Sequence, residues 1–152
     1  MHLPQMNADE RRYKYSELTE QVIGIFYEVY NELGAGFLEK VYEEAMAVML
    51  KEHGIPFQQQ VPIPVWFHGQ VIGTYDADLV VNGVVLLELK ACRALDPAHE
   101  AQLLHYLRST EIEVGLLLNF GPKPQVRRLA FGNERKKISV HLRKSAAKGF
   151  SE

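Results

Sequence analysis

The sequence predicts an α/β domain in which helices flank a mixed β-sheet. Two amphipathic segments come first, three segments of alternating hydrophobicity follow, and a third amphipathic segment leads to a continuous apolar run. A length of 152 residues suggests one domain. We expect a flexible leader at residues 1–15, the domain at residues 16–143, and a basic, disordered tail at residues 144–152.

Two helices open the predicted domain. We expect Ser16 to be the N-cap of the first helix, and Gly34 and Gly36 to end it. The second helix is expected from about Phe37 to His53, with Gly54 as its C-cap. Apolar residues at helical spacing give each helix one buried stripe. The stripes are Leu18, Val22, Ile25, Phe26, Val29 and Leu33 in the first helix, and Leu38, Val41, Ala45, Val48 and Met49 in the second.

Three strands are expected next. The segment from Gln58 to Phe67 alternates, and Pro62 and Pro64 favour an edge strand or a bulge because proline lacks a backbone donor. A short turn leads into a strand from Val71 to Val81. Asn82-Gly83 joins that strand to a third, since Asn-Gly between β-branched runs is a strong hairpin signal.

The loop of this hairpin decides which side chains share a face. A two-residue loop would pair Val81 with Val84 and put Asp78 and Glu88 on opposite faces, because a shift of one residue reverses every side chain. A three-residue, bulged loop would keep both carboxylates on one face, together with Lys90. The expected pairs are then Val80 with Val84, Asp78 with Leu86, and Asp76 with Glu88.

We expect the three-residue loop, in which Val81 and Asn82 form a type I turn and Gly83 takes the left-handed position. The odd residues of both strands are apolar, so they are expected to face the core together. These residues are Tyr75, Ala77, Leu79, Val81, Val85, Leu87 and Leu89.

The carboxylates on the other face would repel each other. At an effective dielectric of about 20, the repulsion is roughly 4 kcal/mol per pair. Such groups must bind a cation, share a proton or point apart. A divalent metal ion at Asp78 and Glu88, with Lys90 beside it, satisfies these charges most simply.

A third helix and further strands complete the predicted order. Asp96-Pro97 starts the helix, which continues to about Ser109. The apolar run from Val114 to Phe120 predicts a strand buried on both faces and parallel to a hairpin strand, with the helix as crossover. Two more strands are expected, at Val126 to Phe131 and at Ile138 to Leu142.

Charge is distributed unevenly, although the net charge is only −2. From Gly121 onward, nine basic residues stand against Glu134 and Glu152. Such a segment can be a phosphate-binding face or a solvated tail that keeps the protein soluble, and the composition leaves both open. No apolar run reaches the roughly 18 residues of a membrane span, and the single Cys92 excludes an internal disulfide. We therefore expect a cytoplasmic protein without a membrane partner.

Three short motifs resemble the signatures of known protein families. Asp78 followed by Glu88-Leu89-Lys90 resembles the signature of the PD-(D/E)XK nucleases, although the proline of that name is absent. Gly36-Phe37-Leu38-Glu39-Lys40-Val41-Tyr42 resembles the signature of the GxxExxY proteins, and Gln102-Leu103-Leu104-His105-Tyr106 resembles the QxxxY motif of RecB-type nucleases. The resemblance extends from about Glu17 to Asn133.

The resemblance implies a restriction-endonuclease-like core and a magnesium-dependent hydrolysis of phosphodiester bonds in DNA. Manganese is expected to substitute for magnesium, and RNA is not excluded as a substrate. The implied catalytic residues are Asp78, Glu88 and Lys90, and the implied metal ligands are Glu39, Asp78, Glu88 and the Leu89 carbonyl. The residues implied to contact nucleic acid are Gln102, Tyr106, Arg127 and Arg128.

Other interpretations of the same residues stay open. Glu39 can simply complement the helix dipole in the first turn of its helix, and Gln102 and Tyr106 can be ordinary helix residues. The main alternative to a nuclease is a non-catalytic module of the same fold that binds nucleic acid or another protein. A plain domain with a solvated acidic face is the third possibility. The non-catalytic module is disfavoured because a site released from chemistry has no reason to keep mutually repelling carboxylates together.

Overall fold

The structure is a computed structural model that describes residues 14–136. Its elements follow the chain as α1 (Ser16–Leu33), α2 (Glu39–Glu52), β1 (Phe57–Phe67), β2 (Gln70–Val81), β3 (Val85–Lys90), α3 (Pro97–Ser109), β4 (Val114–Phe120) and β5 (Pro124–Ala130). A 3-10 turn at Asn133–Arg135 follows β5. The leader before residue 14, the strand expected at residues 138–142 and the tail lie outside the described residues.

Five strands form one sheet in the described part of the chain, in the order β1-β2-β3-β4-β5. β3 and β4 run parallel, and the other neighbouring strands are antiparallel. α3 connects β3 to β4, as the crossover that a parallel pair requires. The prediction of a mixed sheet flanked by helices is therefore confirmed.

Two apolar clusters cover the two faces of the sheet. Phe26 of α1 and Met46 of α2 belong to one cluster, and Leu103 and Leu107 of α3 belong to the other. Every residue of β4 is buried, because helices pack on both of its faces. This result confirms what its continuous apolar run predicted. Within residues 14–136, no helix combines the length and the apolar composition that crossing a membrane would need.

The starts of α1 and α3 differ in how well the sequence predicted them. Ser16 is the first helical residue of α1 and not its N-cap. That position belongs to Tyr15, which has a φ of 60° and no side-chain cap. The start of α3 is confirmed, since the Asp96 carboxylate accepts a hydrogen bond from the Ala98 N–H at 2.8 Å. His99 Nδ1 in turn accepts one from the Asp96 N–H at 3.0 Å, which completes a capping box.

The buried stripe expected for α2 is wrong. Three of its five residues are exposed, with relative accessibilities of 79% for Leu38, 42% for Val41 and 56% for Val48. The helix instead buries Tyr42, Glu43, Met46, Ala47 and Leu50. The predicted stripe leaves out Tyr42 and Met46, whose large side chains fix which face of the helix meets the sheet.

Tyr42 ties the start of α2 to the sheet and to the loop before it. Its ring stacks on Phe120 of β4, with centroids 4.1 Å apart and planes 12° apart. Its hydroxyl donates a hydrogen bond to the Gly34 carbonyl at 2.6 Å and accepts one from the Phe37 N–H at 3.2 Å. Gly36, between these partners, has a φ of 114°, which glycine adopts readily. The first helical turn of α2 is therefore held at a fixed place above the sheet.

The hairpin loop has three residues, as predicted, but the predicted register is wrong. Val81 pairs with Val85 and Val80 with Leu86, so each residue of β2 pairs with a residue of β3 two positions later than expected. Asn82 and Gly83 both have positive φ, at 51° and 70°, as in a type I′ turn, and therefore Asn82 and not Val81 begins the loop. Because this shift is an even number of residues, the register alone does not move Asp78 and Glu88 to opposite faces of the hairpin.

The expectation that Tyr75 and Ala77 share a face with Leu79 and Val81 is also wrong. Leu79 and Val81 lie in the cluster under α1 and α2, whereas Tyr75 and Ala77 lie in the cluster under α3. β2 therefore changes face at Asp78. The neighbouring strand is irregular at the same position, where Gln60 has a φ of 50° and interrupts the alternation of β1.

We expect Tyr42→Phe to lower the free energy of unfolding by about 1–3 kcal/mol, because the Gly34 carbonyl and the Phe37 N–H both lose a buried partner. Urea denaturation measures this loss. The control is Tyr27→Phe, since the Tyr27 side chain is exposed and its variant should change stability by less than about 0.5 kcal/mol. Equal losses in both variants would mean that the Tyr42 hydroxyl contributes nothing specific.

Candidate metal centre

The candidate centre lies where β2 and β3 separate. Backbone pairing of the two strands runs from Val81 and Val85 to Leu79 and Leu87. At the next step the Asp78 carboxylate accepts a hydrogen bond from the Leu89 N–H at 2.8 Å. A side chain thus takes a place that a backbone carbonyl would otherwise hold.

Asp78 and Glu88 are two partly buried carboxylates at this point. Burial is the largest influence on each and raises the pKa of both above the usual carboxyl range. The Leu89 N–H opposes the shift at Asp78, and Lys90 opposes it at Glu88. The charge of Glu39 raises the pKa of both carboxyls, so α2 brings a third acidic group close to the pair.

Lys90 lies beside Glu88 at the end of β3. Its Nζ is 3.6 Å from Glu88 Oε1, and both side chains are about four-fifths buried. At this distance the pair is a loose ion pair and leaves room for further partners on both groups. Of the residues that the sequence predicted as the catalytic set, Asp78, Glu88 and Lys90 therefore occupy adjoining positions on β2 and β3.

The chain beyond Lys90 is held by a buried asparagine. Asn119 of β4 accepts a hydrogen bond from the Cys92 N–H at 3.0 Å and donates one to the Cys92 carbonyl at 3.0 Å. Its amide also donates to Gln125 Oε1, which accepts the Leu95 N–H as well. A Cβ at Gly121 would lie 2.1 Å from the Cys92 carbonyl oxygen, so only glycine fits there. These contacts fix the exit of β3 and thereby the base of the Lys90 side chain.

Glu43 is an acidic residue near the centre that the sequence analysis missed. It lies on α2 one turn after Glu39 and is only 3% exposed. Its carboxylate accepts hydrogen bonds from Lys40, Gln59 and Gln60, and its charge raises the pKa of Asp78. The spacing of four residues from Glu39, which puts both on one side of the helix, was the signal that could have indicated it.

Gln102 and Tyr106 lie on α3, on the opposite face of the sheet from α2. Tyr106 stacks on Tyr75 with centroids 3.7 Å apart, and Tyr75 is three residues before Asp78 on β2. The Tyr75 hydroxyl is buried and has no hydrogen-bond partner in the described part of the chain. Gln102 is exposed. The structure thus places Tyr106 in a packed layer next to β2 and Gln102 at the surface.

Arg127 and Arg128 do not lie on one surface. Their strand partners on β4, Leu117 and Leu116, belong to clusters on opposite faces of the sheet. Arg127 forms an ion pair with Glu100 of α3 at 3.1 Å, while Arg128 donates to a main-chain carbonyl at the start of the described chain. Adjacent strand residues alternate, so both cannot meet the same strand of nucleic acid side by side.

Lys136 is likewise no part of an exposed basic face. Its ammonium group donates hydrogen bonds to the carbonyls of Thr110 and Ile112, both at 2.8 Å. Burial lowers the pKa of Lys136 to about 8. This lysine supports the end of α3, so the basic segment cannot be treated as one phosphate-binding unit.

The residues at the centre fit a hard cation by their chemistry. Carboxylate and carbonyl oxygens are the ligands that magnesium prefers, and burial disfavours the uncompensated charges of Asp78 and Glu88. In residues 14–136, no three His, Cys, Asp or Glu side chains are already arranged as a metal-binding group. The donors are suitable in type, with two carboxylates on neighbouring strands and Glu39 on α2 near enough for its charge to act on both.

Comparison with known proteins assigns the chain to a family. The sequence profile of the PD-(D/E)XK nuclease superfamily matches residues 16–129, well over half of the chain. The chain therefore belongs to the PD-(D/E)XK nuclease superfamily. Nucleases of this superfamily typically use divalent metal ions, and membership implies a nucleic acid as substrate and supports a nuclease-type function.

Solved structures share the fold. The crystal structure of SSO0001 aligns with a TM-score of 0.51 at 17% identity, covering 99% of this chain and 79% of that one. A weaker similarity is to an alkaline exonuclease, LHK-Exo, from Laribacter hongkongensis, with a TM-score of 0.39 at 13% identity, covering 95% of this chain and 84% of that one. The first of these supports the fold alone. A search of curated proteins gave no match.

Without metal, Asp78→Asn and Glu88→Gln should each raise the free energy of unfolding at neutral pH. Burial raises the pKa of both carboxyls in the folded protein, so over part of the pH range the unfolded chain has released protons that the folded protein still holds. Stability therefore falls as the pH rises from the ordinary carboxyl pKa through the raised value, and each variant removes its share of that fall.

Urea denaturation from acidic to neutral pH measures this difference. The gain in the free energy of unfolding should disappear below the ordinary carboxyl pKa, where the carboxylic acid of the wild type is as uncharged as the amide of the variant. Asp76→Asn is the control, because Asp76 is exposed on the same strand. A loss of stability at neutral pH in either site variant would contradict the charge argument.

Proposed function

We propose that this protein is a magnesium-dependent nuclease that hydrolyses phosphodiester bonds in DNA. The observation that carries the proposal is the pair of partly buried carboxylates, Asp78 and Glu88, on neighbouring strands with Lys90 beside Glu88. Membership of the superfamily supports the same function. The GxxExxY and QxxxY resemblances are proposed to describe the particular branch of the superfamily.

Glu39, Asp78, Glu88 and the Leu89 carbonyl are proposed to hold the metal ion. The Leu89 N–H points to Asp78, and in an antiparallel pair the N–H and C=O of one residue point to the same neighbour. The Leu89 carbonyl therefore faces the same side as the Asp78 carboxylate. When bound, a divalent ion would polarise the scissile phosphate and lower the pKa of an attacking water.

Lys90 is proposed to act on the charge that develops during cleavage. The buried Asn119 network fixes the chain at the end of β3, and the Lys90 ammonium group lies beside Glu88, at the edge of the carboxylate pair. Placed there, it can orient a water or stabilise negative charge on the phosphate. Manganese is expected to replace magnesium at the carboxylates, because both favour oxygen ligands.

Gln102 and Tyr106 are proposed to contact the nucleic acid from the α3 side. Gln102 is exposed, and Tyr106 is anchored by its stack on Tyr75. Arg127 remains a candidate for a phosphate contact, because its side chain is about half exposed and its ion pair with Glu100 is a surface pair. Arg128 is proposed to contact nucleic acid from the other face of the sheet, where its side chain also donates a hydrogen bond to the main chain.

The direct test is incubation of the protein with labelled single-stranded, double-stranded and branched DNA and with RNA, with magnesium, with manganese and with EDTA. We expect cleavage that depends on the metal and is faster on DNA. Binding without cleavage on every substrate would favour the non-catalytic module of the same fold.

Lys90→Met should slow single-turnover cleavage about 10²- to 10³-fold and leave DNA affinity nearly unchanged. Its charge is needed chiefly when negative charge builds up in the transition state, so turnover falls while binding survives. Lys51→Met, at the exposed end of α2, is the matched control and should cleave at the normal rate. If Lys90→Met loses affinity in proportion to activity, Lys90 only anchors the substrate.

A further inference from the structure

Glu43 differs from the other acidic residues near the centre, because both of its carboxylate oxygens already have partners. Oε1 accepts a hydrogen bond from the Gln60 amide at 2.6 Å. Oε2 accepts one from the Gln59 amide at 2.8 Å and one from Lys40 at 3.0 Å. A buried carboxylate with three donors has hydrogen-bond partners that hold it in place. Glu43 is therefore suited to joining α2 to β1 through these hydrogen bonds.

Gln60 reaches Glu43 from an unusual backbone conformation. Its φ of 50° is left-handed, which is uncommon for a residue other than glycine and rarer still within a strand. The pairs on either side join Gln59 to Leu79 and Val61 to Ala77, so Gln60 lies opposite Asp78. The strained residue and the candidate metal ligand thus face each other across neighbouring strands.

The change of face in β1 and β2 occurs at the same position. Phe57 and Leu79 pack under α2, whereas Val61 and Ala77 pack under α3. Between them lie Gln60 on β1 and Asp78 on β2. A strain stored in backbone conformation persists only where surrounding contacts hold it, and the hydrogen bond to Glu43 is such a contact.

We propose that Glu43, Gln59 and Gln60 form a positioning clamp that joins α2 to β1 opposite Asp78. The clamp thereby sets the position of Glu39 relative to Asp78 and Glu88. Glu39 is one helical turn before Glu43, so any movement of α2 at Glu43 displaces Glu39 by a similar amount. The clamp acts through Glu39 and Asp78 and touches no substrate. This inference rests on the proposed function of the centre.

Two variants test the clamp in the full chain. Gln60→Gly removes the amide but keeps the left-handed backbone available, because glycine adopts it without strain. Glu43→Gln keeps the size of the side chain but replaces one acceptor oxygen with a donor that faces other donors. The matched control is Glu44→Gln, since Glu44 accepts from the same Gln59 amide and Lys40 but is exposed.

Manganese binding by calorimetric titration and single-turnover cleavage as a function of manganese concentration are measured on each variant. We expect Gln60→Gly and Glu43→Gln to weaken manganese binding about 10- to 100-fold, which is the range found when the partners behind metal ligands are removed. The cleavage rate should recover in part at saturating manganese, and the KM for DNA should stay near the wild-type value. Glu44→Gln should behave as the wild type in both measurements.

The outcomes separate the clamp from the proposed function. If the wild type binds manganese and the two variants bind it equally well, with only a lower melting temperature, the clamp is merely structural and the inference is overturned. Equal weakening in Glu44→Gln would overturn it too. If the wild type binds no manganese and cleaves nothing, the proposed function fails first and the clamp has nothing to position. If the wild type binds manganese without cleaving, the titration alone still decides the clamp.

Discussion

The hydrogen bond from the Leu89 N–H to the Asp78 carboxylate is the contact on which the candidate centre depends. Pairing of β2 and β3 ends at Leu79 and Leu87, and this bond holds the two strands together one step further. The same bond keeps the Asp78 carboxylate against β3, beside the residue that follows Glu88. Burial disfavours both charges, so an unfavourable electrostatic interaction is built into the fold at this point.

Rigid contacts on both sides keep this arrangement from relaxing. The Tyr42 ring stacked on Phe120 fixes the start of α2, and the Asn119 amide fixes the chain after β3. Either group could otherwise move and let the carboxylates turn towards solvent. A centre that must hold charges close together needs its supporting residues locked by packing and hydrogen bonds, and these two contacts meet that need from opposite ends.

Regular backbone patterns could be predicted from the sequence, and irregular ones could not. The three-residue loop around Asn82-Gly83 and the helix start at Asp96-Pro97 follow from local conformational preferences, so they were found. The change of face at Asp78 lies opposite a left-handed Gln60, and nothing in a glutamine predicts that conformation. The burial of Glu43 could not be predicted from the apolar residues of α2, because its carboxylate is buried with partners that come from β1.

The supply of hydrogen-bond donors distinguishes the carboxylates of this region better than their depth of burial does. Glu43 is the most deeply buried, yet three side chains donate to it. In the described residues, Asp78 has the one Leu89 N–H and Glu88 has only the loose pair with Lys90 at 3.6 Å. A carboxylate can accept about four hydrogen bonds, so unused acceptor capacity remains at Asp78 and Glu88. This unused capacity supports the proposed cation at these two residues, and the more deeply buried Glu43 is proposed to position α2 and β1 around them.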